Sequence, residues 1–297
     1  MKIKRRAAAY GVSRSADGGV LLTRGSDASA FPGVWSLPGG GIDHGEHPDD
    51  TVVREFAEET GLTVRIAGVR TVLADLARLP DGTIEHTDRI IYDVEVTGGE
   101  LTPETAGTSD LVAWVAPADV AAQPLLPFTA GVLGVSFEPA DLGDGPFGEP
   151  ERSGPVQRFG AYGLATDPSG RILLTRIADG YPGGGFWHLA GGGTDFGETP
   201  ERALARELYE ETSQRGLITG LVGVSHRYDP AAVGPEGVPL QWHVIRVVYQ
   251  VTVPEPTDAA VTEAAGGSTA EAAWFTPEQA RNLSLTELTR DALGRTG

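Results

Sequence analysis

No cysteine occurs in the 297 residues, which excludes a disulfide framework and any thiolate metal site. Positive charge is also scarce. Twenty-three Lys and Arg stand against 41 Asp and Glu, a formal net charge of −18. A surface that tracks a nucleic-acid backbone needs a basic face, so nucleic acid is not an expected partner. The deficit does not exclude a polyphosphate ligand, because bound divalent cations neutralise both sides of such a contact. Nor is there any apolar run of about 18 residues, so no membrane span is expected. The first ten residues, MKIKRRAAAY, place basic side chains before three alanines. That apolar stretch is too short for a secretory leader, and a cytoplasmic location is the expectation.

What the sequence does contain is a copy of itself. Ala9-Tyr10-Gly11-Val12 returns as Ala161-Tyr162-Gly163-Leu164, and Leu21-Leu22-Thr23-Arg24 as Leu173-Leu174-Thr175-Arg176, both 152 residues later. The same spacing of 152 relates Trp35 to Trp187, Gly39-Gly40-Gly41 to Gly191-Gly192-Gly193, and Glu58-Glu59-Thr60 to Glu210-Glu211-Thr212. It then grows in steps: 155 for Gly61 and Gly216, 157 for His86 and His243, and 160 for Trp114 and Trp274. Insertions thus fall between elements, as they do when a duplicated domain drifts in its loops. Residues 138–155 are rich in Pro, Gly and acid and lack apolar periodicity, so they read as a linker. The expected domains are 1–137 and 156–297.

One copy serves to read both. Ala7–Val12 and Val20–Thr23 have the pattern of strands around an Asp17-Gly18-Gly19 turn. Pro48 to Thr60 reads as a helix, with proline in the first turn, an apolar stripe at Val52, Val53 and Phe56, and Gly61 as the stop. Val64–Ala74 and Thr87–Val96 are strand-like, and Phe128–Leu133 a short helix. This order implies an α/β fold of the α+β type: two α/β/α sandwich domains, each a mixed sheet flanked by helices.

On the Pro48–Thr60 helix, Glu55, Glu58 and Glu59 fall at i, i+3 and i+4, which puts three carboxylates on one face. A bare surface of this kind repels itself. Divalent cations offset the repulsion, and oxygen ligands select hard ions such as Mg²⁺ or Mn²⁺. Glu207, Glu210 and Glu211 repeat the pattern.

These residues resemble the Nudix box: Gly, five residues, Glu, seven residues, then Arg-Glu-apolar-any-Glu-Glu-any-Gly-apolar. Residues 40–62 fill every fixed position with Gly40, Glu46, Arg54, Glu55, Phe56, Glu58, Glu59, Gly61 and Leu62. The second box, 192–217, matches through Glu211 and then carries Ser213-Gln214-Arg215 before Gly216-Leu217 restores the ending. These three residues are expected to lengthen the helix by about one turn. The resemblance, closest to the MutT-like branch, implies a metal-dependent hydrolase of a diphosphate linkage. Its substrate would be a small nucleotide, of the nucleoside triphosphate or ADP-ribose and nucleotide-sugar type. It implies metal ligation by Glu55, Glu58, Glu59 and the Gly39 carbonyl, and by Glu207, Glu210, Glu211 and the Gly191 carbonyl. Glu55 or Glu59, and Glu207 or Glu211, would serve as base. Glu46–Arg54 and Glu198–Arg206 would be orienting ion pairs.

Further candidates lie outside the box. Glu104 and Glu263 precede the late tryptophans and are either added metal ligands or exposed loop acids. Arg24 and Arg176 close a strand before the box loop and are either phosphate contacts or solvated strand ends. His86 and His243 match across the copies and are either substrate contacts or buried structural histidines. The competing reading of the whole chain is a nucleotide-binding regulatory or scaffold protein with one or both sites inactive. Two copies in one chain also suit an intramolecular pseudo-dimer, or a homodimer.

Overall fold

The computed structural model describes residues 2–105, 107–137, 157–232, 241–262 and 267–295. The linker expected at 138–155 and the candidate Glu263 lie outside the described residues. The chain divides into two compact units, residues 1–155 and 156–297. Among the described residues no helix is long and apolar enough to cross a membrane.

In the first unit the order is β1 (Ile3–Val12), β2 (Val20–Gly25), β3 (Trp35–Ser36), β4 (Gly39–Gly41), α1 (Pro48–Thr60), β5 (Leu62–Arg78), β6 (Ile84–Gly99), β7 (Ser109–Val115) and α2 (Pro127–Leu133). One sheet runs β4-β1-β6-β5 and another β3-β2-β7. β1 and β6 are parallel, while β4 and β5 join antiparallel at the flanks, so the sheet is mixed. The second unit repeats this with β8 (Gln157–Thr166), β9 (Ile172–Ile177), β10 (Trp187–His188), β11 (Ala190–Gly193), α3 (Pro200–Thr212), β12 (Leu217–Asp229), β13 (Trp242–Thr252), β14 (Thr269–Phe275), α4 (Pro277–Arg281) and α5 (Glu287–Arg295). Its strands form a single seven-stranded sheet.

Side chains alternate across a strand, and β1 uses both faces. Ala8, Tyr10 and Val12 pack with Leu22, Trp35, Ile91 and Phe128 of α2 in one cluster. Gly11 faces the other way, where a Cβ would sit 2.5 Å from the Phe56 ring of α1. The missing side chain therefore lets α1 lie close on the sheet, and the two helices cover opposite faces. Leu164 shares a cluster with Leu288 and Ala292 of α5 in the same manner.

Helix α1 starts where expected, with the His47 ring nitrogen accepting from the Asp49 N–H at 3.0 Å, and ends at Gly61, φ 70°. Helix α3 departs from expectation. It has the same 13 residues as α1 and is not one turn longer. Ser213 adopts φ 58° and ends the helix in the left-handed conformation that glycine supplies in the first unit. Gln214 then buries its amide, donating to the Thr212 carbonyl at 3.0 Å and to Thr257 Oγ1 at 2.8 Å. The insertion is thus absorbed as an anchored connection, and the carboxylates before it keep their register.

The turn into β4 is the backbone feature on which the site depends. Gly39 has φ 141°, and a Cβ there would lie 2.3 Å from the Ala9 carbonyl oxygen; Gly191 repeats both, with φ 138° and 2.3 Å to Ala161. Side-chain-bearing residues rarely adopt such backbone angles, at a cost of about 1–3 kcal/mol, and the contact with β1 adds to it. Gly39→Ala is therefore expected to lower the unfolding midpoint of the first unit by several degrees in differential scanning calorimetry while the second unit's transition stays put. An unchanged first transition would show that the loop tolerates a side chain.

Candidate active site

The acidic face of α1 meets the glycine loop. Glu59 is buried, 7% exposed. Its Oε2 accepts from the Gly39 N–H at 2.9 Å and its Oε1 from the Ser109 hydroxyl of β7 at 2.9 Å. Gly40 has no side chain because Glu55 occupies that space: a Cβ would be 2.6 Å from its carboxylate. Glu58 is half exposed. The second unit repeats the design. Gly191 donates to Glu211 Oε2 at 2.9 Å, Thr269 donates to its other oxygen, and Gly192 leaves room for Glu207.

One arginine organises each set. Arg54 grips Glu46 with two parallel hydrogen bonds of 2.9 Å, reaches Glu55 at 2.9 Å and Glu58 at 3.1 Å, and touches the Gly41 carbonyl at 3.3 Å. Arg206 does the same with Glu198 (3.0 and 2.9 Å), Glu207 (2.7 Å), Glu210 (3.3 Å) and the Gly193 carbonyl (3.1 Å). Burial pushes the Glu46 carboxyl up, but hydrogen bonds from Arg54 and Thr51 outweigh it and hold the group at about 2. Burial, reinforced by Glu55 and Glu104, pushes Glu59 the other way to about 7, although Gly39 and Ser109 oppose it. Burial likewise pushes Glu211 to about 7, with Glu207 and Glu210 adding to it. Glu55 and Glu207 are raised by burial too.

The donor chemistry suits a hard divalent cation. Buried, crowded carboxylates that resist ionisation are stabilised by such an ion, and all their ligating atoms are oxygen. Among the described residues no three acidic or imidazole side chains converge as a preassembled cage. Arg54 and Arg206 hold one or two carboxylates of each set instead. Glu104 contributes its field to Glu59 and accepts from the Ser109 N–H at 3.2 Å, so it belongs to the neighbourhood of the acidic wall.

The wall opens into a cleft of about 410 Å³, lined by Glu55, Glu59 and Gly39–Gly41 together with Lys4, Arg6, Tyr10, Phe31, Glu85 and Arg89. Arg24 is not part of it. Its Nε and one terminal nitrogen donate to the two Asp110 carboxylate oxygens, at 2.9 and 3.1 Å, in an exposed pair between β2 and β7. Arg176 pairs in the same way with Glu271 at 3.1 Å. The two histidines lie in β6 and β13, and His86 is not among the residues that line this cleft. His86 is 1% exposed, 3.6 Å from Asp88. His243 is fully buried between Gln157 and His226.

The cleft's cations were missed by reading the sequence around the box alone. Arg6 makes no hydrogen bond or ion pair among the described residues, and it lies near Gly41 and within the field of Glu55. Arg89 is buried, bonded to Tyr10 Oη at 2.9 Å and to Asp75 at 2.9 and 3.1 Å, with its guanidinium 4.1 Å from the Phe128 ring centre. A signal was available: Arg6 and Arg158, Tyr10 and Tyr162, and Arg89 and Arg246 all recur at the spacings of the duplication.

Comparison with known proteins agrees with this geometry. The NUDIX domain model matches twice, over residues 4–133 and 156–293. A stretch of 85 residues is 36% identical to an ADP-ribose pyrophosphatase of Methanocaldococcus jannaschii, covering 29% of this chain and 48% of that protein. A stretch of 136 residues is 32% identical to the nucleoside triphosphatase NudI of an Enterobacter species, covering 46% of this chain and 86% of that one. The chain spans less than half the length of the ADP-ribose pyrophosphatase and of a MutT-like protein of Streptomyces ambofaciens, to which it is 39% identical over 72 residues, or 24% of this chain. Among solved structures, a MutT NUDIX hydrolase from Burkholderia pseudomallei aligns with 48% of this chain and 99% of its own at 27% identity, with a TM-score of 0.38.

The buried carboxyls make a prediction about stability. Glu59 and Glu211 titrate near 7 in the fold against an ordinary 4.5. Ionising a group whose folded value is raised costs folding free energy. The cost is absent below about pH 4.5, accrues up to about 7 and is full above it. In EDTA the unfolding midpoint is therefore expected to fall as pH rises from 5.5 to 8. A variant carrying Glu59→Gln and Glu211→Gln should lose most of that slope and be more stable than the parent at pH 8. A slope identical in parent and variant would show that these groups ionise freely.

Proposed function

The chain belongs to the NUDIX family, and we propose that it hydrolyses a diphosphate linkage in a nucleoside diphosphate derivative, with a divalent metal as cofactor. The observation that carries this reading is the buried glutamate seated on a glycine loop, built alike in both units and lining a cleft in the first. Intact carboxylates in both copies favour an enzyme over a regulatory or scaffold protein with dead sites. Relatives whose names specify ADP-ribose pyrophosphatase and nucleoside triphosphatase support two substrate classes: ADP-ribose or nucleotide sugars, and nucleoside triphosphates. The net charge of −18 disfavours a nucleic-acid backbone as partner, and the first unit's site opens into a cleft of about 410 Å³.

Glu55, Glu58, Glu59 and the Gly39 carbonyl would hold Mg²⁺ or Mn²⁺ in the first unit, with Glu104 in reach. Glu207, Glu210, Glu211 and the Gly191 carbonyl would do so in the second. When bound, the ion supplies charge neutralisation of the diphosphate oxygens and a lowered pKa for bound water. The protein's residues do the rest. Arg54 fixes the Glu55 carboxylate from one side, leaving its second oxygen toward Gly40 and the cleft to take a proton from the attacking water. Glu59 is held on both oxygens and is an alternative base once Ser109 turns away. Arg6 is placed to stabilise negative charge on the transferred phosphoryl group. Tyr10 and Phe31 offer ring surface to the nucleoside.

The test is Mg²⁺-dependent turnover on nucleoside triphosphates, ADP-ribose, nucleotide sugars and diadenosine polyphosphates. Each of Glu59→Gln and Glu211→Gln is expected to remove, by at least about 100-fold, the hydrolysis performed by its own unit, and the double variant to abolish it on every substrate. Turnover that survives in the double variant, or that persists in EDTA, would refute the proposed site. Full activity in Glu211→Gln on all substrates would confine catalysis to the first unit.

A further inference from the structure

The two units differ in what surrounds one equivalent arginine. Arg89 in β6 pairs across the sheet with Leu73 of β5, and Arg246 in β13 with Ser225 of β12. Two residues further along the neighbouring strand, on the same face, stands Asp75 in the first unit and Arg227 in the second. An acid has been replaced by a base at the same register position. The other supports of Arg89 have gone as well. Phe128, on which it stacks, has Leu288 as its equivalent, since Thr129 and Thr289 make matching bonds to the backbone N–H groups of Leu37 and Leu189. Tyr162 is retained, but no hydrogen bond joins it to Arg246.

The result is a partly buried guanidinium without its complement. Arg246 makes no hydrogen bond or ion pair among the described residues, and its Nε is fully buried. The Ser225 hydroxyl beside it is also buried and unbonded. Burial and the nearby Arg227 press the Arg246 charge down, while Tyr162, Glu287 and Asp291 support it without forming an ion pair. Arg89 lines the first unit's cleft beside the acidic wall, Arg246 holds the equivalent register position, and Tyr162 feels Arg246, Arg158, Glu211 and Glu207 together. A cation whose inner nitrogen is buried without a partner is costly to the fold, and a bound anion offsets that cost.

We infer that the second unit carries, beside its acidic wall, a phosphate-binding site formed by Arg246, Arg227 and Ser225, a site that the first unit has closed with its internal Arg89–Asp75 ion pair. The second unit accordingly takes a ligand with one more phosphate than the first unit's ligand, and the two units are not duplicates in specificity. This deepens the proposed function for one unit, and its test needs neither metal nor turnover.

The experiment is calorimetric titration of the full chain with pyrophosphate in EDTA at low ionic strength, where a phosphate contact is strongest, and with malonate as a carboxylate dianion of similar charge. The wild type is expected to bind one pyrophosphate per chain. Arg227→Asp, an exposed position that recreates the first unit's pair, and Arg246→Gln should each weaken binding at least tenfold. Asp75→Ala, which removes the oxygen that accepts both bonds from Arg89, should add a second binding event. No saturable binding by the wild type, equal binding by Arg227→Asp, or equal affinity for malonate would overturn the inference. Loss of hydrolysis in an enzyme assay would leave it standing, and binding lost with hydrolysis intact would sink it alone.

Discussion

Everything at the acidic wall depends on one guanidinium per unit. Arg54 forms five hydrogen bonds, two of them a parallel pair to Glu46, and so ties the loop before α1, the glycine strand and two of the helix carboxylates into one rigid unit. Without it three glutamates on one helix face would repel each other and the helix they sit on. A planar fork with fixed donors can serve several carboxylates at once, which an ammonium on a flexible stem cannot. The arrangement also explains why Glu46 and Glu59 differ so widely. The first is solvated by the fork and stays ionised. The second is turned inward, away from Arg54, onto a backbone N–H and a hydroxyl, and carries the electrostatic cost of the site.

That cost is sustained by features placed elsewhere. The glycines at 39 and 40 have different reasons for being glycine: one lies against the β1 backbone, the other makes way for the Glu55 carboxylate. The close seat of α1 on the sheet depends on Gly11, where any side chain would meet Phe56. Each small residue thus removes an obstacle between the helix and the loop. Stability is given up locally so that carboxylates can be held crowded and partly dehydrated, the state in which a divalent ion gains most from arriving.

Much of this was legible in the sequence because it rests on local spacing. The i, i+3, i+4 glutamates, the glycine run and the proline and glycine that bracket α1 are contiguous signals, and a repeat that preserves them separates pattern from accident. The mixed sheet between helices follows from the same order of elements. The insertion at 213–215 predicts extra helix by length alone, and the backbone does otherwise: Ser213 accepts the left-handed cap and the buried Gln214 finds a partner on a distant loop, contacts that no local pattern encodes. Arg24 stays open to two readings in the sequence because its ion-pair partner, Asp110, lies across the sheet from it, 86 residues away. The cleft's own cations, Arg6 and Arg89, belong to strands whose adjacency is set by the parallel pairing of β1 with β6, which is a property of topology and not of spacing along the chain.

Duplication explains how the two units came to share a scaffold and differ in a cleft. Substitutions at the Arg54 or Arg206 hub would break several bonds together, so both copies retain it. The position of Asp75 and Arg227 is under no such constraint, since it touches neither the glycine loop nor the helix. A change of sign there alters the cleft's charge by two while the acidic wall is left intact. Buried charge is costly when unmatched and neutral when matched. The first unit matches its arginine internally with Asp75 and Tyr10. The second leaves the match to a ligand, so what it gives up in the stability of the free protein becomes available as affinity.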